Sequence, residues 1–294
     1  MRTIKLITLV VLIATIAACT YKPTVEELKK FAATEIYPED TYLDTVANKR
    51  ALIIVAHDDD DCIMSGTIAK LTANDWTIRQ LSFDAHNILG EDRNPAHIIC
   101  EGYEQILEDG IYRPGVDTVK YPWRALPYME IKDRYLHEKV SAALIAKVNE
   151  FNPSVLFTLD NIKGWYGNPD HVFISQLVLD LFKEGIINAE IIYQVVITRH
   201  MEKERDKWLI PKLEKWGYPQ TGPTADEIYG IEGIPEPDVQ INISEQAETK
   251  MRYLRTYPES VRKNFRKGIP YYEEFDAKLY FSIFDREFFR IIEK

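Results

Sequence analysis

The stretch RALIIVAHDDDD, Arg50 to Asp61, passes from six consecutive apolar residues straight into a histidine and four aspartates. An unbroken apolar run is the pattern of a strand covered on both faces, as in a parallel sheet flanked by helices. In such sheets ligands bind beyond the carboxyl ends of the strands, which is where His57 to Asp61 fall. Four crowded carboxylates repel one another unless a cation neutralises them. An adjacent imidazole suits zinc better than calcium or magnesium. The plainer reading, a solvated acidic loop, stays open at this point.

Working outward, the chain alternates. Helical spacing is expected over 66–74, a strand over 77–83, a helix over 95–108 and a short strand over 116–121. Residues 132–151 carry Leu136, Val140, Leu144, Ile145 and Val148 on one helical stripe, stopped by Asn152-Pro153. A strand over 155–159, a helix over 169–183 and a strand over 190–197 follow. Strands alternating with helices predict an α/β, three-layer sandwich with a mostly parallel sheet. Beyond Arg199 the alternation fades; 202–216 and 245–257 read as helical, 239–243 and 277–284 as strand-like. There is no internal repeat.

A second stretch, YGNPDH from Tyr166 to His171, follows the strand over 155–159 after a loop. Asn168 as N-cap and Pro169 in the first turn make an ordinary helix start. Asp170 there complements the helix dipole, so capping is the structural reading of both polar residues. His171 lies in the first turn. If the strand order reverses beside the first strand, the fourth becomes its neighbour, and the crevice between them is where open sheets bind ligands. That arrangement brings His57, Asp60 and His171 within reach of one ion, with a position left for water.

The N-terminus reads as a targeting segment. Arg2 and Lys5 precede an apolar run from Leu6 to Ala18, too short to span a bilayer at about 20 residues per helix. It ends Ile16-Ala17-Ala18-Cys19, which resembles a bacterial lipobox. Residues 1–18 are read as a lipoprotein signal peptide and Cys19 as the lipidated residue, with Thr20 favouring an outer-membrane anchor. A plain secretion signal cut near Ala18 is the alternative. Residues 19–48 form an N-terminal tether holding a short helix that starts at a Thr24–Glu27 capping box, and 49–294 form the main domain with a C-terminal elaboration.

The remaining chain holds 34 Lys and Arg against 46 Asp and Glu, a net charge near −12. Phosphate binding needs a basic face, so no nucleic-acid partner is expected. Seventeen tyrosines and five tryptophans in an acidic protein suit a neutral, hydroxyl-rich ligand. Without a CxxC, a cysteine-type zinc site is out, and Cys62 and Cys100 are expected as free, buried thiols.

These two motifs resemble those of the PIG-L/LmbE-like family of zinc-dependent N-acetylglucosaminyl deacetylases. The family's A-H-P-D-D-E lines up with Ala56 to Asp61, and its Y-G-H-P-D-H with Tyr166 to His171. Gly66 to Ala69, a Glu101–Gly110 spacing and Lys250 are weaker matches, so the resemblance spans roughly residues 49–258. It implies a Rossmann-like fold and a PIG-L-like deacetylase domain. It implies that His57, Asp60 and His171 hold Zn2+, or another divalent transition metal such as Fe2+. Asp59 would then serve as general base and later general acid, Tyr166 would sit near the acetyl group, and Asp170 would orient a neighbouring side chain. The implied activity is removal of an N-acetyl group from an amino sugar or glycoconjugate at the cell envelope.

Two departures stand out. Asp58 replaces proline, leaving the register within Asp58–Asp61 open. Asn168 replaces the histidine that in many members stabilises the oxyanion, and losing such a donor costs about 10²–10³ in rate. A second reading follows: a non-catalytic, metal- and glycan-binding lipoprotein. A third is a magnesium phosphohydrolase using Asp59 and Asp61, which leaves His171 unexplained. His86 and His200 follow strands and are further candidates for the crevice; His97 and His137 fall on helices. Trp123 and Trp165 are candidate sugar-stacking residues.

Overall fold

A computed structural model describes residues 21–84, 91–107, 109–116, 124–218 and 221–294. The leader and Cys19, His86, Trp123 and nearly all of the strand expected over 116–121 lie outside the described residues.

The apolar run folds as β1 (Arg50–His57), with every residue after Arg50 buried. Its side chains alternate between two cores. Ala51, Ile53 and Val55 face one, and Leu52, Ile54 and Ala56 face the other. That two-sided burial explains the lack of polar alternation. β1 pairs in parallel with β2 (Thr77–Asp84) on one side and β4 (Val155–Leu159) on the other. β3 (Gly102–Gln105) extends the sheet beyond β2, and β5 (Ile191–Val196) extends it beyond β4, both in parallel. β7 (Arg286–Glu293) and β6 (Val239–Asn242) then add antiparallel, giving the order β3-β2-β1-β4-β5-β7-β6. The order reverses between β1 and β4, so that crevice is the topological switch point.

Helices cover both faces. On one lie α2 (Ser65–Ala73), α8 (Ala247–Thr256) and α9 (Glu259–Gly268). On the other lie α4 (His137–Phe151) and α5 (Pro169–Lys183). In α4 the stripe of Val140, Leu144 and Val148 is fully buried, and Asn152 ends the helix in a left-handed conformation ahead of Pro153. The chain is therefore a three-layer α/β sandwich with a mostly parallel sheet.

Several expected elements differ. The helix over 95–108 is a single 3-10 turn, Pro95–Ile98, followed by edge strand β3, because pairing with β2 satisfies this backbone. Glu101 and Gly110 thus flank a strand. The run 132–151 is two helices, α3 (Tyr128–Arg134) and α4. They are separated by Tyr135, which is extended and buried. Tyr135 stacks on Phe173 with centroids 4.0 Å apart, and its hydroxyl donates to Asp170, so a tertiary contact overrides helical propensity. The strand expected over 277–284 is the helix α10 (Ala277–Phe281), capped by Asp276, and β7 starts after it. α7 (Gly222–Tyr229) and α9 were not apparent from spacing, while the helix over 202–216 appears as α6 (Arg199–Lys215).

Residues 21–48 pack on the domain. α1 (Val25–Lys29) starts at Thr24, whose side chain and that of Glu27 complete a capping box. Leu28, Phe31, Leu43 and Val46 are buried. The Asp40 amide donates to the Gln240 carbonyl, and the Tyr193 hydroxyl donates to the Asp40 carboxylate. No described helix is long and apolar enough to cross a membrane.

Candidate metal centre and active site

β1 delivers His57 to the switch point, and the following 3-10 turn, Asp60–Ile63, folds Asp60 back over it. The His57 amide donates to Asp60 Oδ2 at 2.8 Å. α5 presents His171 from its first turn across the crevice. His57 Nδ1 and His171 Nε2 lie 3.0 Å apart. Asp60 Oδ1 lies 3.3 Å from the first nitrogen and 3.0 Å from the second.

The outer nitrogen of each ring is engaged. His57 Nε2 faces Asp170 Oδ2 at 3.3 Å, and His171 Nδ1 faces the Gly164 carbonyl at 2.9 Å. Both partners are acceptors, so these ring nitrogens donate, and the inner nitrogen of each ring faces the other and a carboxylate oxygen. Such a convergence suits a cation. Two imidazoles and a carboxylate, backed by a carboxylate and a carbonyl, fit a divalent transition metal with an open position.

Electrostatics agree. Burial opposes charge on His57, but Asp60 and Asp170 outweigh it and raise its pKa well above the usual imidazole value. Burial works against ionised Asp60 as well, yet the two histidines hold its carboxyl below the usual range. Asp170 is also depressed despite burial, through hydrogen bonds from His57, Tyr112 and Tyr135.

The four aspartates point in different directions. Asp59 and Asp60 line the cavity above the site. Asp58 is fully buried; Asn94 Nδ2 donates to its carboxylate at 3.4 Å, and its carbonyl accepts from Gln80 and Tyr257, both at 3.1 Å. Asp61 is buried behind the loop and accepts from the Tyr253 hydroxyl. Burial, then the neighbouring aspartates, push its pKa well above the carboxylate range in spite of that bond.

The second motif rests on Asp160, at the end of β4. Its carboxylate accepts from the amides of Ile162, Lys163, Gly164 and Trp165, at 3.1, 2.6, 3.2 and 2.9 Å. This nest holds a tight turn in which Gly164 has φ +61° and Trp165 has φ +71°, ψ −60°. A Cβ on Gly164 would sit 2.9 Å from the His171 Cβ, so glycine is required for the carbonyl to reach the ring. The fully buried Lys163 Nζ pairs with Glu202 and Asp226, each at 2.6 Å, tying the turn to α6 and α7.

Asn168 caps α5, accepting from the Asp170 amide at 2.9 Å, and its Nδ2 donates to the Tyr166 hydroxyl at 3.2 Å. Tyr166 and Asn168 both line the cavity. Tyr166 is partly exposed, and desolvation, opposed by the bond from Asn168, raises its pKa, so its hydroxyl keeps the proton.

Among the described histidines, His97, His137 and His200 do not line this cavity. His200 Nε2 donates to the Lys30 carbonyl, fastening the N-terminal segment. Trp165 lines the cavity with Arg205 over its ring at 5.1 Å. Lys250 lies away from the cavity, paired with the buried Glu287. Cys100 is buried and Cys62 half-buried, both free thiols. Asp160, Tyr112 and Tyr135 were not anticipated, for each serves a motif residue through contacts that no local spacing encodes.

Residues 52–182 match the model of the PIG-L family, described as GlcNAc-PI de-N-acetylase. No curated protein matches the chain. Similar solved structures include the N,N'-diacetylchitobiose deacetylase from Pyrococcus horikoshii complexed with its inhibitor MPG, at 16% identity, 83% of this chain, 84% of that one and a TM-score of 0.42. GalB, the 4-carboxy-2-hydroxymuconate hydratase from Pseudomonas putida KT2440, is 13% identical over 83% and 96% of the two chains, with a TM-score of 0.45. A deacetylase of teicoplanin biosynthesis, in its bog complex, is 13% identical over 83% and 98%, with a TM-score of 0.48.

Proposed function

We propose that this protein is a metal-dependent amide hydrolase that removes the N-acyl group, acetyl in the simplest case, from an amino sugar or glycoconjugate. The observation that carries the reading is the convergence of His57, Asp60 and His171 on one point, with Asp59 beside them in an accessible cavity. We take the ion to be zinc; the donor set also accepts Fe2+. When bound, such an ion supplies Lewis acidity and lowers the pKa of coordinated water to about 7.

The chain's own residues supply the rest. Asp59 takes a proton from the attacking water and returns it to the departing amine. Tyr166 accepts from Asn168, leaving its own proton free to donate to the acyl oxygen. Asp170 holds His57 in the tautomer that leaves Nδ1 bare. Acetate release from N-acetylglucosamine conjugates should fall by about 10²–10⁴ in Asp59→Asn while the metal stays bound. Unchanged release would remove Asp59 from this role.

The second reading, a non-catalytic metal- and glycan-binding protein, draws on one observation: the Asn168 side chain is spent on capping and on Tyr166. It calls for sugar binding without turnover, and a gain of activity in Asn168→His. Any Asp59-dependent acetate release rules it out. We also propose an envelope location with a lipid anchor on Cys19, based on the leader sequence. Loss of membrane association in Cys19→Ser is the check, with residues 49–294 forming one catalytic domain.

A further inference from the structure

The cavity that reaches the metal site has a volume of about 570 Å³, within the range of pockets that enclose a drug-sized ligand. Its walls are not uniform. An apolar wall begins on the metal loop itself, with Cys62 and Ile63, and continues through Val261, Phe265 and Ile269 on and after α9; these five residues belong to one packed cluster. Leu209, Ile210 and Leu213 of α6 line the cavity as well. All three are only half-buried. Polar lining comes from Tyr166, Asn168, Arg205 and Asp206, and Ser260, Asn264 and Lys267 of α9 alternate with its apolar residues.

We propose that the apolar wall is an acyl subsite, and that the preferred substrate carries an N-acyl chain several carbons longer than acetyl. The inference rests on the amide-hydrolase reading. In an amide held for attack at the metal centre, the acyl chain leaves the carbonyl carbon directly. Apolar surface that starts on the metal-ligating loop is therefore placed for that chain, and the polar lining is left for sugar hydroxyls. In the reaction the water oxygen bonds to the carbonyl carbon, the C–N bond breaks, the amine takes up the proton, and a fatty carboxylate leaves. Both α6 and α9 lie outside residues 52–182, whereas Cys62 and Ile63 lie within them.

The test measures primary-amine release from N-acetyl-, N-butanoyl-, N-hexanoyl- and N-octanoylglucosamine, and from the octyl glycoside of N-acetylglucosamine. Each buried methylene is worth about fourfold in kcat/KM. The N-octanoyl substrate should thus exceed N-acetyl by at least about tenfold. Leu213→Gln, with unfolding temperature measured alongside, should shrink that ratio; Leu209→Gln is the second variant if the first does not fold. A ratio of one or less overturns the proposal, as does a preference that both folded variants retain. A gain confined to the octyl glycoside overturns it too, since the chain then sits on the sugar side. If no probe releases amine, the hydrolase reading has failed and calorimetric affinities decide the subsite. Tighter binding of N-octanoyl- than N-acetylglucosamine supports it, and equal binding overturns it.

Discussion

His57 shows how much one residue owes to its neighbours. Asp170 accepts from its Nε2, and Asp170 is held in turn by the hydroxyls of Tyr112 and Tyr135. Such outer partners usually change metal affinity 10–100-fold. Asp170→Asn should therefore weaken zinc binding by about that factor, read by chelator competition. An unaltered affinity would show that the ring needs no such support. The raised His57 pKa gives a second prediction. Without an ion the raised pKa favours the protonated His57 ring, so uptake of a metal ion there should displace a proton. Calorimetry in buffers of different ionisation enthalpy should count about one proton released at pH 7, and affinity should drop as pH falls. In the metal-free protein the sign for stability is the reverse of a carboxylate's. The His57 contribution is complete below its unfolded pKa of about 6.5 and is lost as pH rises through the raised folded value.

At the scale of elements, the N-terminus of α2 has an unusual cap. The Gly66 and Thr67 amides donate to Glu287 of β7 at 2.9 and 2.7 Å, and Lys250 of α8 donates to the same carboxylate. One buried side chain thus joins three elements directly behind the metal loop. Glu287→Ala would strand the buried Lys250 charge and two helix-end amides, at a cost of about 3–5 kcal/mol. Urea unfolding should show it, and a loss under about 1 kcal/mol would contradict this account. The Gly164 turn is equally local. Gly164→Ala forces a side chain into a left-handed position and against His171, and should reduce both stability and metal content. Neither device was legible from spacing. The Lys250 match to a family helix located the residue, but its partner lies 37 positions away. The break at Tyr135 and strand β3 were missed for the same reason: local periodicity favoured helix, while sheet pairing and the contact with Asp170 decided the outcome.

For the whole molecule, the sequence carried the architecture wherever burial was two-sided. β1, β4, β5 and α5 follow from apolar runs and caps, and their order put the switch point between β1 and β4. Beyond Arg199 the reading thinned because half-exposed helices such as α6 lack a continuous apolar face, and part of that face lines the cavity instead. In the Asp run, only three-dimensional placement separates Asp59 and Asp60, which line the cavity, from Asp58 and Asp61, which are buried away from it. On the proposed function, hydrolysis depends on one ion in this cradle. The most direct measurement titrates zinc into chelator-stripped protein while following amine release from an N-acylated glucosamine. No release is expected without metal, and a plateau at one equivalent with it, absent in Asp60→Asn and His171→Ala. Release that survives stripping, or that responds to zinc equally in those variants, would contradict it.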